Sequence, residues 1–321
     1  MEKDKVKKVV VVGAGTMGHG IAQSFAQGGY QVSMVSRTRK TLDRALKLIE
    51  TSLGTMVQEG ILDEGLPEKV MRRINPTTSL EEGSHDADIV IETVAENKDV
   101  KKEVFAQLDS YCPRRTLLAS NTSFLNIFDF IETSRPDKVL ITHWYAPPQL
   151  IPLVEVVGGP NTDEANVQFM AQVLRGIGKR PMVLKKFIPG YAINRIQHAI
   201  TREVHFLLDN DYVTPEQLDE GAKAGLAFRM MVTGLAQKYD LSGLKMKIIN
   251  PPGYEDAPLD YRPKKLAGLI EQGHLGVKTG RGFYDYKGKS EAEVYHERDI
   301  RLIQMLKVLE TLEARGPLES K

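Results

Sequence analysis

The chain has 321 residues, a length that favours two domains over a single core. Hydrophobic residues make up 41% and charged residues 26%, as in ordinary globular proteins, and these values argue against disorder. Its 43 basic and 42 acidic residues nearly cancel, so we expect neither a nucleic acid nor a membrane surface as a partner.

The chain starts with the charged stretch MEKDKVKK, which is unlike the apolar region of a signal peptide. Its only cysteine, Cys112, cannot form an intramolecular disulfide. No uninterrupted apolar stretch approaches the roughly 18 residues that a membrane-spanning helix needs. We therefore expect a cytoplasmic protein.

The first half of the chain alternates between strand-like and helical patterns. The β-branched run from Val6 to Val12 predicts a buried strand, the segment to about Gln27 a helix, and Gln31 to Val35 a second strand. A long amphipathic helix is predicted from Thr41 to Gln58. Further strand-like runs are DIVIETV, TLLASNTS, KVLITHW, PLVEVV and PMVLKK. The alternation predicts an α/β fold with a doubly wound, Rossmann-type sheet.

Beyond Pro189 and Gly190 the strand-like runs stop and helical periodicity takes over. The segment from Thr214 to Gln217 has the residues of a helix start, and the tail VYHERDIRLIQMLKVLE predicts a terminal amphipathic helix. We predict a dinucleotide-binding domain over residues 1–189 and a smaller all-α domain over residues 190–321.

A glycine-rich turn follows the first predicted strand and opens the first predicted helix. Gly13, Gly15 and Gly18 form the GxGxxG pattern, with Thr16 and Met17 inside it. In this context the pattern predicts a dinucleotide site, because the glycines allow a tight turn, a close backbone approach to the pyrophosphate and close helix packing. A glycine turn without a ligand is the alternative.

The end of the second predicted strand lacks the acid that usually holds the ribose 2′-OH of NAD. Ser36 stands there, and Arg37 and Arg39 follow. A hydroxyl and a guanidinium can bind a 2′-phosphate that an acid would repel, so we predict NADP(H) over NAD(H). A solvated basic loop is the alternative.

Three later segments carry polar residues that packing does not require: Ser123 after LLASNT, His143 at the end of KVLIT, and Glu155 inside PLVEVV. Taken alone, such a histidine is more often a satisfied strand-end residue, and such a glutamate more often faces solvent. Ligands of open α/β sheets bind outside the carboxyl ends of the strands, where His143 is expected, so together these residues indicate an active site.

The chain resembles the 3-hydroxyacyl-CoA dehydrogenase family over nearly its whole length. The matching segments are VVVVGAGTMGHGIAQSFAQGGY, IETVAENKDVKKEVF, LLASNTS, the HWYAPP to LVEVV block, GKRPMVLKKFIPGYAINR and VKTGRGFYDY. Within the family, IPLVEVV, NRIQHAI and VTPEQLDE are more similar to the branch of lambda-crystallin, gulonate 3-dehydrogenase and carnitine dehydrogenase, which acts on free 3-hydroxy acids.

The resemblance implies a role for individual residues. His143 corresponds to the catalytic histidine, Glu155 to the glutamate that pairs with it, and Ser123 and Asn194 to the polar residues around the substrate oxygen. An imidazole exchanges protons near neutral pH, and a carboxylate on its other nitrogen fixes its tautomer, which suits an acid/base catalyst. The positions implied to contact the nicotinamide half of the cofactor are Glu96, Lys101 and Lys278.

One departure from the family concerns the residues after the histidine. The family commonly has HFFNP or HPxNP, whereas this chain has Trp144 to Pro148 with Ala146 in place of the asparagine. Exposed Arg44 and Lys47 on the predicted long helix could meet CoA phosphates or be ordinary surface, so a free 3-hydroxy acid and its CoA ester both remain possible substrates.

Two functions are considered. The first is an NAD(P)-dependent dehydrogenase that moves a hydride between nicotinamide and C3 of a 3-hydroxy/3-oxo acid or its CoA ester. The second is a non-catalytic nicotinamide-binding or crystallin-like structural protein on the same scaffold. The resemblance and the apolar helix faces of the second domain imply a homodimer. No cluster has metal-ligand spacing, and no metal is expected.

Overall fold

The computed structural model describes residues 6–235, 264–282 and 285–313. The chain divides into two compact units, Met1–Ile193 and Asn194–Lys321. The predicted domain boundary at residue 189 lies four residues before this division, at 193. In the described part of the chain, no helix has the length and apolar character needed to span a membrane.

The first unit is built on one eight-stranded sheet. Its strands in chain order are β1 (Lys8–Val12), β2 (Gln31–Val35), β3 (Ile74–Thr77), β4 (Ile89–Glu92), β5 (Leu117–Ser120), β6 (Val139–Trp144), β7 (Leu153–Gly158) and β8 (Arg180–Leu184). Their order across the sheet is β3-β2-β1-β4-β5-β6-β7-β8. Every neighbouring pair is parallel except β6 and β7, which are antiparallel.

Helices connect the strands of the first unit. They are α1 (Gly18–Gln27), α2 (Arg39–Gln58), α3 (Leu66–Arg72), α4 (Leu80–Ser84), α5 (Lys98–Tyr111) and α6 (Glu164–Gly176). Helix α2 begins two residues before the predicted Thr41, because the Thr38 side chain accepts the Thr41 N–H and caps the helix. The sheet and its connecting helices form a doubly wound, Rossmann-type fold, as predicted.

The central strands are buried on both faces. Val9 and Val11 of β1 belong to one core cluster, which also contains residues of α1, α2 and α6. Val10 and Val12 belong to a second cluster, which contains Phe105 of α5. Because successive side chains of a strand point to opposite faces, an uninterrupted valine run fills both cores. This explains why the first strand is apolar throughout instead of alternating.

Strand β3 was not predicted from the sequence. Its residues INPT include Asn75 and Pro76, which are poor strand formers. The strand lies at the edge of the sheet and pairs only with β2 among the described strands, and at an edge a proline is tolerated.

The second unit is helical in its described residues. Its helices are α7 (Ile193–Asp209), α8 (Pro215–Gly221), α9 (Phe228–Thr233), α10 (Lys264–Glu271) and α11 (Glu291–Glu313), with a π-helical segment at Ala222–Ala227. Thr214 and Gln217 form the predicted reciprocal capping box at the start of α8. The fold class, a Rossmann-type domain followed by a smaller all-α domain, is confirmed.

Candidate active site

The turn after β1 requires glycine at its first position. Gly13 has φ of +105°, and its N–H donates to the carbonyl of Val35 at 2.8 Å. A Cβ on Gly13 would lie 2.6 Å from the carbonyl oxygen of Thr93, which follows β4. Both the backbone conformation and the close approach of the β4 end exclude a side chain here.

The other two glycines of the turn have contrasting surroundings. A Cβ on Gly18 would lie 1.7 Å from the Gly13 carbonyl oxygen, whereas a Cβ on Gly15 would meet nothing within 4 Å. Gly15 and Thr16 are exposed, and Met17 is half-buried. Gly18 is therefore needed for internal packing, while Gly15 leaves an open cradle in front of the helix.

The start of α1 has the features of an anion site. Its N-cap residue, Met17, makes no side-chain capping bond, and no acidic residue lies in the first turn. The first N–H groups of a helix and its dipole favour negative charge, and a pyrophosphate against the open Gly15 position uses both. The turn thus fits the dinucleotide that the sequence predicts.

The sequence predicts the adenosine end of the cofactor site at the end of β2. Ser36 is half-buried and donates its N–H to the carbonyl of Thr77 at 3.2 Å, and Arg37 is exposed. Arg39 is the first residue of α2 and donates to Asp43 one turn later at 2.9 Å. Of the two arginines, Arg39 is thus engaged within its own helix.

A buried ion pair lies at the carboxyl end of β4. Lys101 Nζ donates to both carboxylate oxygens of Glu92, at 2.8 and 3.1 Å, and lies 3.3 Å from Glu96 Oε2. Lys101 and Glu92 are both 0% exposed, so Lys101 does not occupy the solvated helix face on which a lysine usually lies. Ser120 and the Val94 N–H complete the hydrogen bonds of Glu92.

Sequence reasoning missed Glu92. It lies inside the apolar run DIVIETV, just as Glu155 lies inside PLVEVV, and an acid within an apolar strand was the signal that identified Glu155. The same signal applied to Glu92 would have predicted a second buried carboxylate at the same edge of the sheet.

Glu96 holds the loop that carries Ser123. Its Oε1 accepts the Thr122 hydroxyl at 2.5 Å and the backbone N–H groups of Ser123 and Phe124 at 2.9 and 3.0 Å. Partial burial alone would raise the pKa of Glu96, but the bond from Thr122, the charge of Lys101 and the two N–H bonds outweigh it, so the pKa lies below its usual value. An ionised Glu96 therefore fixes the loop near Lys101.

His143 and Glu155 face each other across the antiparallel pair of β6 and β7. They are direct partners in the register of the two strands. His143 Nδ1 lies 2.9 Å from Glu155 Oε2, and the two side chains are 4% and 0% exposed. Cross-strand partners on one face of a sheet have Cβ atoms about 5 Å apart, which suits this contact. The pairing brings together two residues that are twelve positions apart in the sequence.

The Glu155 carboxylate accepts four hydrogen bonds. Oε2 accepts from His143 and from the hydroxyl of Tyr145, and Oε1 accepts from the backbone N–H groups of Ala192 and Ile193 at 2.9 and 3.0 Å. Burial alone would raise the pKa of Glu155, but these donors outweigh it and the pKa lies below its usual value. Glu155 is therefore ionised at neutral pH.

Two tyrosine rings enclose the imidazole, and sequence reasoning missed both. The Tyr145 ring meets the His143 ring edge-on, with centroids 4.7 Å apart, and the Tyr191 ring lies at 4.6 Å with an interplanar angle of 32°. The Tyr191 hydroxyl donates to the Thr122 carbonyl at 2.7 Å, and burial raises the pKa of this tyrosine. Both residues belong to the segments HWYAPP and IPGYAINR, which were noted only for their resemblance.

Asn121 joins the ends of β5 and β6. Its side-chain oxygen accepts the backbone N–H of Trp144 at 2.8 Å, directly after His143. The glycine turn, Glu92, Asn121 and His143 thus lie at the carboxyl ends of β1, β4, β5 and β6, which are adjacent in the sheet. By strand spacing, β6 lies about 14 Å from β1 along this edge.

Two predicted site residues belong to the second unit. Asn194 lies in the first turn of α7, and Lys278 lies in a short 3₁₀ helix, Val277–Thr279. Their roles at the substrate oxygen and at the nicotinamide remain predictions.

A Rossmann-type sheet with a glycine turn at its switch point, and a histidine–carboxylate pair farther along the same edge, defines a nicotinamide-dependent oxidoreductase that acts on a CH–OH group. Comparison with known families agrees. The model of the NAD binding domain of 3-hydroxyacyl-CoA dehydrogenase matches residues 8–187, and the model of its C-terminal domain matches residues 190–286. The chain belongs to the 3-hydroxyacyl-CoA dehydrogenase family.

Individual relatives extend over most of the chain. A probable 3-hydroxybutyryl-CoA dehydrogenase of Bacillus subtilis is 35% identical over 289 residues, which are 89% of this chain and 99% of the relative. The 5-formyl-3-hydroxy-2-methylpyridine 4-carboxylate 5-dehydrogenase of Mesorhizobium japonicum is 29% identical, with 95% and 99% covered. A crystal structure of a 5-dehydrogenase of this name, described as an NAD+ dependent dismutase, matches with a TM-score of 0.84 at 27% identity over 95% of this chain and 99% of its own.

Proposed function

We propose that the chain transfers a hydride between a nicotinamide cofactor and C3 of a 3-hydroxy/3-oxo acid, with His143 as the acid/base. The observation that carries this proposal is the 2.9 Å contact between His143 Nδ1 and the buried Glu155 carboxylate, on the same edge of the sheet as the glycine turn. When bound, the cofactor accepts the hydride in alcohol oxidation and returns it in the reverse reaction.

The hydrogen bonds around Glu155 assign the tautomer of His143. An ionised carboxylate can only accept hydrogen bonds, so the imidazole places its proton on Nδ1 and keeps the lone pair on Nε2. Nε2 takes the hydroxyl proton of the substrate as the C3–H bond breaks and the C3=O bond forms. The Glu155 charge stabilises the resulting imidazolium, and in the reverse direction the same proton goes to the new hydroxyl.

Ser123 and Asn194 are proposed to hydrogen-bond the substrate oxygen at C3. Ser123 follows β5, where its backbone is fixed by Glu96, and its hydroxyl bonds to no described residue of this chain. A donor aimed at that oxygen stabilises the charge that develops during reduction. Glu96, Lys101 and Lys278 are proposed to border the nicotinamide half of the cofactor. For Glu96 and Lys101 the support is that Lys101 contacts both Glu96 and Glu92, and Glu92 precedes Thr93, whose carbonyl lies close to Gly13.

For the adenosine end we propose NADP(H) over NAD(H). The support is a half-buried Ser36 where an acid usually stands, followed by the exposed Arg37. The solved relative with a TM-score of 0.84 is itself described as NAD+ dependent, the opposite of the preference proposed here. The ratio of kcat/KM for NADPH to that for NADH decides between them, and a clear preference for NADH would make the NADP(H) proposal wrong.

As substrate we propose a 3-hydroxy acid, either free or as its CoA ester. Ala146, which replaces an asparagine that the family commonly has, and the pyridine carboxylate dehydrogenase, named for an unesterified acid, favour the free acid, whereas the Bacillus subtilis relative named for 3-hydroxybutyryl-CoA favours the ester. The 3-hydroxybutyryl-CoA dehydrogenase of Escherichia coli matches with a TM-score of 0.73. A panel of free 3-hydroxy acids, each assayed beside its CoA ester with both cofactors, tests the choice.

A homodimer and a cytoplasmic location complete the proposal. Helix α7 is amphipathic, yet in the single chain only Leu208 of this helix is buried and Ile196 is 37% exposed, which suits a second copy packed on its apolar face. Light scattering that gives the mass of one chain would contradict the dimer.

The buried, unpaired Cys112 suits a reducing compartment, which cell fractionation would test.

The decisive experiment replaces His143 by alanine. Loss of the base should reduce turnover roughly 10²- to 10⁴-fold while cofactor binding, measured by fluorescence of the reduced nicotinamide, stays intact. His85→Ala is a matched control, because His85 is an exposed histidine of the same unit whose contacts with the Glu82 carbonyl and with Asp86 are local. Unchanged turnover in His143→Ala would falsify the assigned chemistry. Cofactor binding with no oxidation of any acid in the panel would instead favour a non-catalytic binder.

A further inference from the structure

We propose that Tyr145 is a positioning residue that sets how strongly Glu155 holds the proton of His143. This inference rests on the proposed role of His143 as acid/base. It concerns a residue two positions after His143 whose hydroxyl reaches back to the same carboxylate oxygen.

The contact is specific to one atom of Glu155. His143 Nδ1 and the Tyr145 hydroxyl both bond to Oε2, at 2.9 and 2.7 Å. The second oxygen, Oε1, is occupied by the backbone N–H groups of Ala192 and Ile193. The imidazole and the phenol therefore share a single acceptor, and neither can use the other oxygen.

Sharing has an electrostatic consequence. A hydroxyl that donates to a carboxylate oxygen spreads its negative charge, so the oxygen attracts a second donor less strongly. Glu155 is 0% exposed, so water does not replace either donor. With the Tyr145 hydroxyl bonded to it, Glu155 stabilises the imidazolium form of His143 less than it would without that bond. A less stabilised imidazolium returns its proton more readily to the substrate oxygen.

In the part of the chain that the structure describes, few other titratable groups near the His143–Glu155 pair could change how strongly Glu155 stabilises the imidazolium. Among the described residues of the first unit, the titratable groups that face the pair are Tyr145 after β6 and Tyr191 before α7, with Glu96 from the segment after β4 behind Tyr191. Tyr191 packs on the imidazole, but its hydroxyl donates to the Thr122 carbonyl and not to the carboxylate. Burial alone would raise the pKa of Glu155, and the bonds from His143, Tyr145 and the two N–H groups lower it instead.

The test compares Tyr145→Phe with Tyr191→Phe. Each substitution removes one hydroxyl and keeps an aromatic ring against His143, but only the first frees Glu155 Oε2. In Tyr145→Phe we expect the acid side of the pH profile of kcat/KM for alcohol oxidation to move up by about half a pH unit, because one neutral donor offsets only part of the carboxylate–imidazolium attraction. In Tyr191→Phe this midpoint should stay in place, whatever happens to the rate.

A second measurement does not depend on activity. The Cε1–H resonance of His143, assigned by its loss in His143→Gln, is followed as a function of pH in the intact protein. Its midpoint should rise in Tyr145→Phe by the same amount as the kinetic profile and should not rise in Tyr191→Phe. A merely structural tyrosine would change stability or rate and leave both midpoints where they are.

The outcomes separate this inference from the proposed function. If His143→Ala loses turnover but the Tyr145→Phe midpoints coincide with those of the wild type, the role of Tyr145 is wrong and the acid/base role stands. If His143→Ala keeps its turnover, the proposed function fails, while a shifted resonance in Tyr145→Phe would still support the shared carboxylate. A midpoint that moves equally in both tyrosine variants overturns the proposal, because the effect would then not come from Oε2.

Discussion

Among the residues that the structure describes, Glu92 and Glu155 are fully buried inside strands, and each has its own set of donors. Glu92 is neutralised by Lys101, whereas Glu155 is surrounded by donors of which only His143 can become positively charged. Burying a charge is costly unless it is paired and hydrogen-bonded, and removing one partner of such a pair leaves the other uncompensated. At the scale of single residues, Glu92 with Lys101 is therefore expected to matter for stability and Glu155 with His143 for chemistry.

Replacing Lys101 by methionine tests the first pair. The substitution keeps the volume but leaves the Glu92 charge buried without its cation, and we expect the free energy of unfolding to fall by about 3–5 kcal/mol. The double variant Glu92→Gln/Lys101→Met should recover much of this loss, because the amide still accepts the Val94 N–H. Urea unfolding measures both, and a single variant as stable as the wild type would contradict the pair's structural role.

At the scale of elements, the glycines of the turn between β1 and α1 have two different roles, one in folding and the other in the proposed cofactor binding. Gly13 and Gly18 are in close contact with backbone atoms, whereas Gly15 faces open space. In this short motif, packing against backbone atoms therefore requires glycine at two positions, and access for the proposed cofactor requires it at the third. The antiparallel pair β6 and β7 is the other decisive element, since its register alone places His143 opposite Glu155.

Gly18→Ala and Gly15→Ala form a matched pair of variants in this turn. In Gly18→Ala the new methyl would overlap the Gly13 carbonyl, which should cost about 1–3 kcal/mol of stability as the helix shifts. In Gly15→Ala the fold should keep its stability, while the cofactor Kd should rise by roughly tenfold or more, the equivalent of 1.4 kcal/mol, as the methyl blocks the approach of the pyrophosphate. Thermal unfolding and cofactor titration separate the two, and a Gly15→Ala enzyme with wild-type affinity would argue against the proposed cradle.

At the scale of the whole molecule, the stability of the first unit should depend on pH through carboxylates that accept several hydrogen bonds. Glu96, Asp109 and Glu155 all have pKa values below their ordinary ones. Asp109 illustrates the cause: burial alone would raise its pKa, but donors from Ser134, Thr133 and Arg135 lower it. These groups tie separate segments of the fold together while they are ionised.

A carboxyl with a lowered pKa in the folded state stabilises the fold above its unfolded pKa and loses that contribution as the pH falls through the folded value. The ordinary values are 4.5 for glutamate and 3.8 for aspartate, so the free energy of unfolding should begin to fall below about pH 5. Asp109→Asn should be less stable at neutral pH and should show a shallower decline in acid. Denaturant unfolding at a series of pH values checks this, and parallel curves for the two proteins would count against it.

Features that depend on local geometry could be predicted from the sequence alone. A valine run, a Gly13/Gly15/Gly18 turn and a capping Thr214 act within a few neighbouring residues, so their patterns predicted a Rossmann-type sheet, its first turn and the start of α8. Strand β3 was not predicted, because its local pattern includes Pro76, which disfavours a strand. A proline is tolerated at the edge of a sheet, and only the pairing of the strands shows that β3 is an edge strand. Family resemblance implied the pairing of His143 with Glu155, but not the contacts of Lys101 with Glu92 or of Tyr145 with Glu155.

The other contacts of these side chains follow from the tertiary structure. The residue pattern of a strand does not reveal its direction. Because β7 runs antiparallel to β6, Glu155 lies opposite His143, and its second carboxylate oxygen accepts the N–H groups of Ala192 and Ile193. The burial of Lys101 and the hydroxyl of Tyr145 on Glu155 likewise arise where distant segments meet. Local patterns specify which elements form, because they act over a few residues; the charges and hydrogen bonds of the site come from how those elements pair, which is a property of the whole fold.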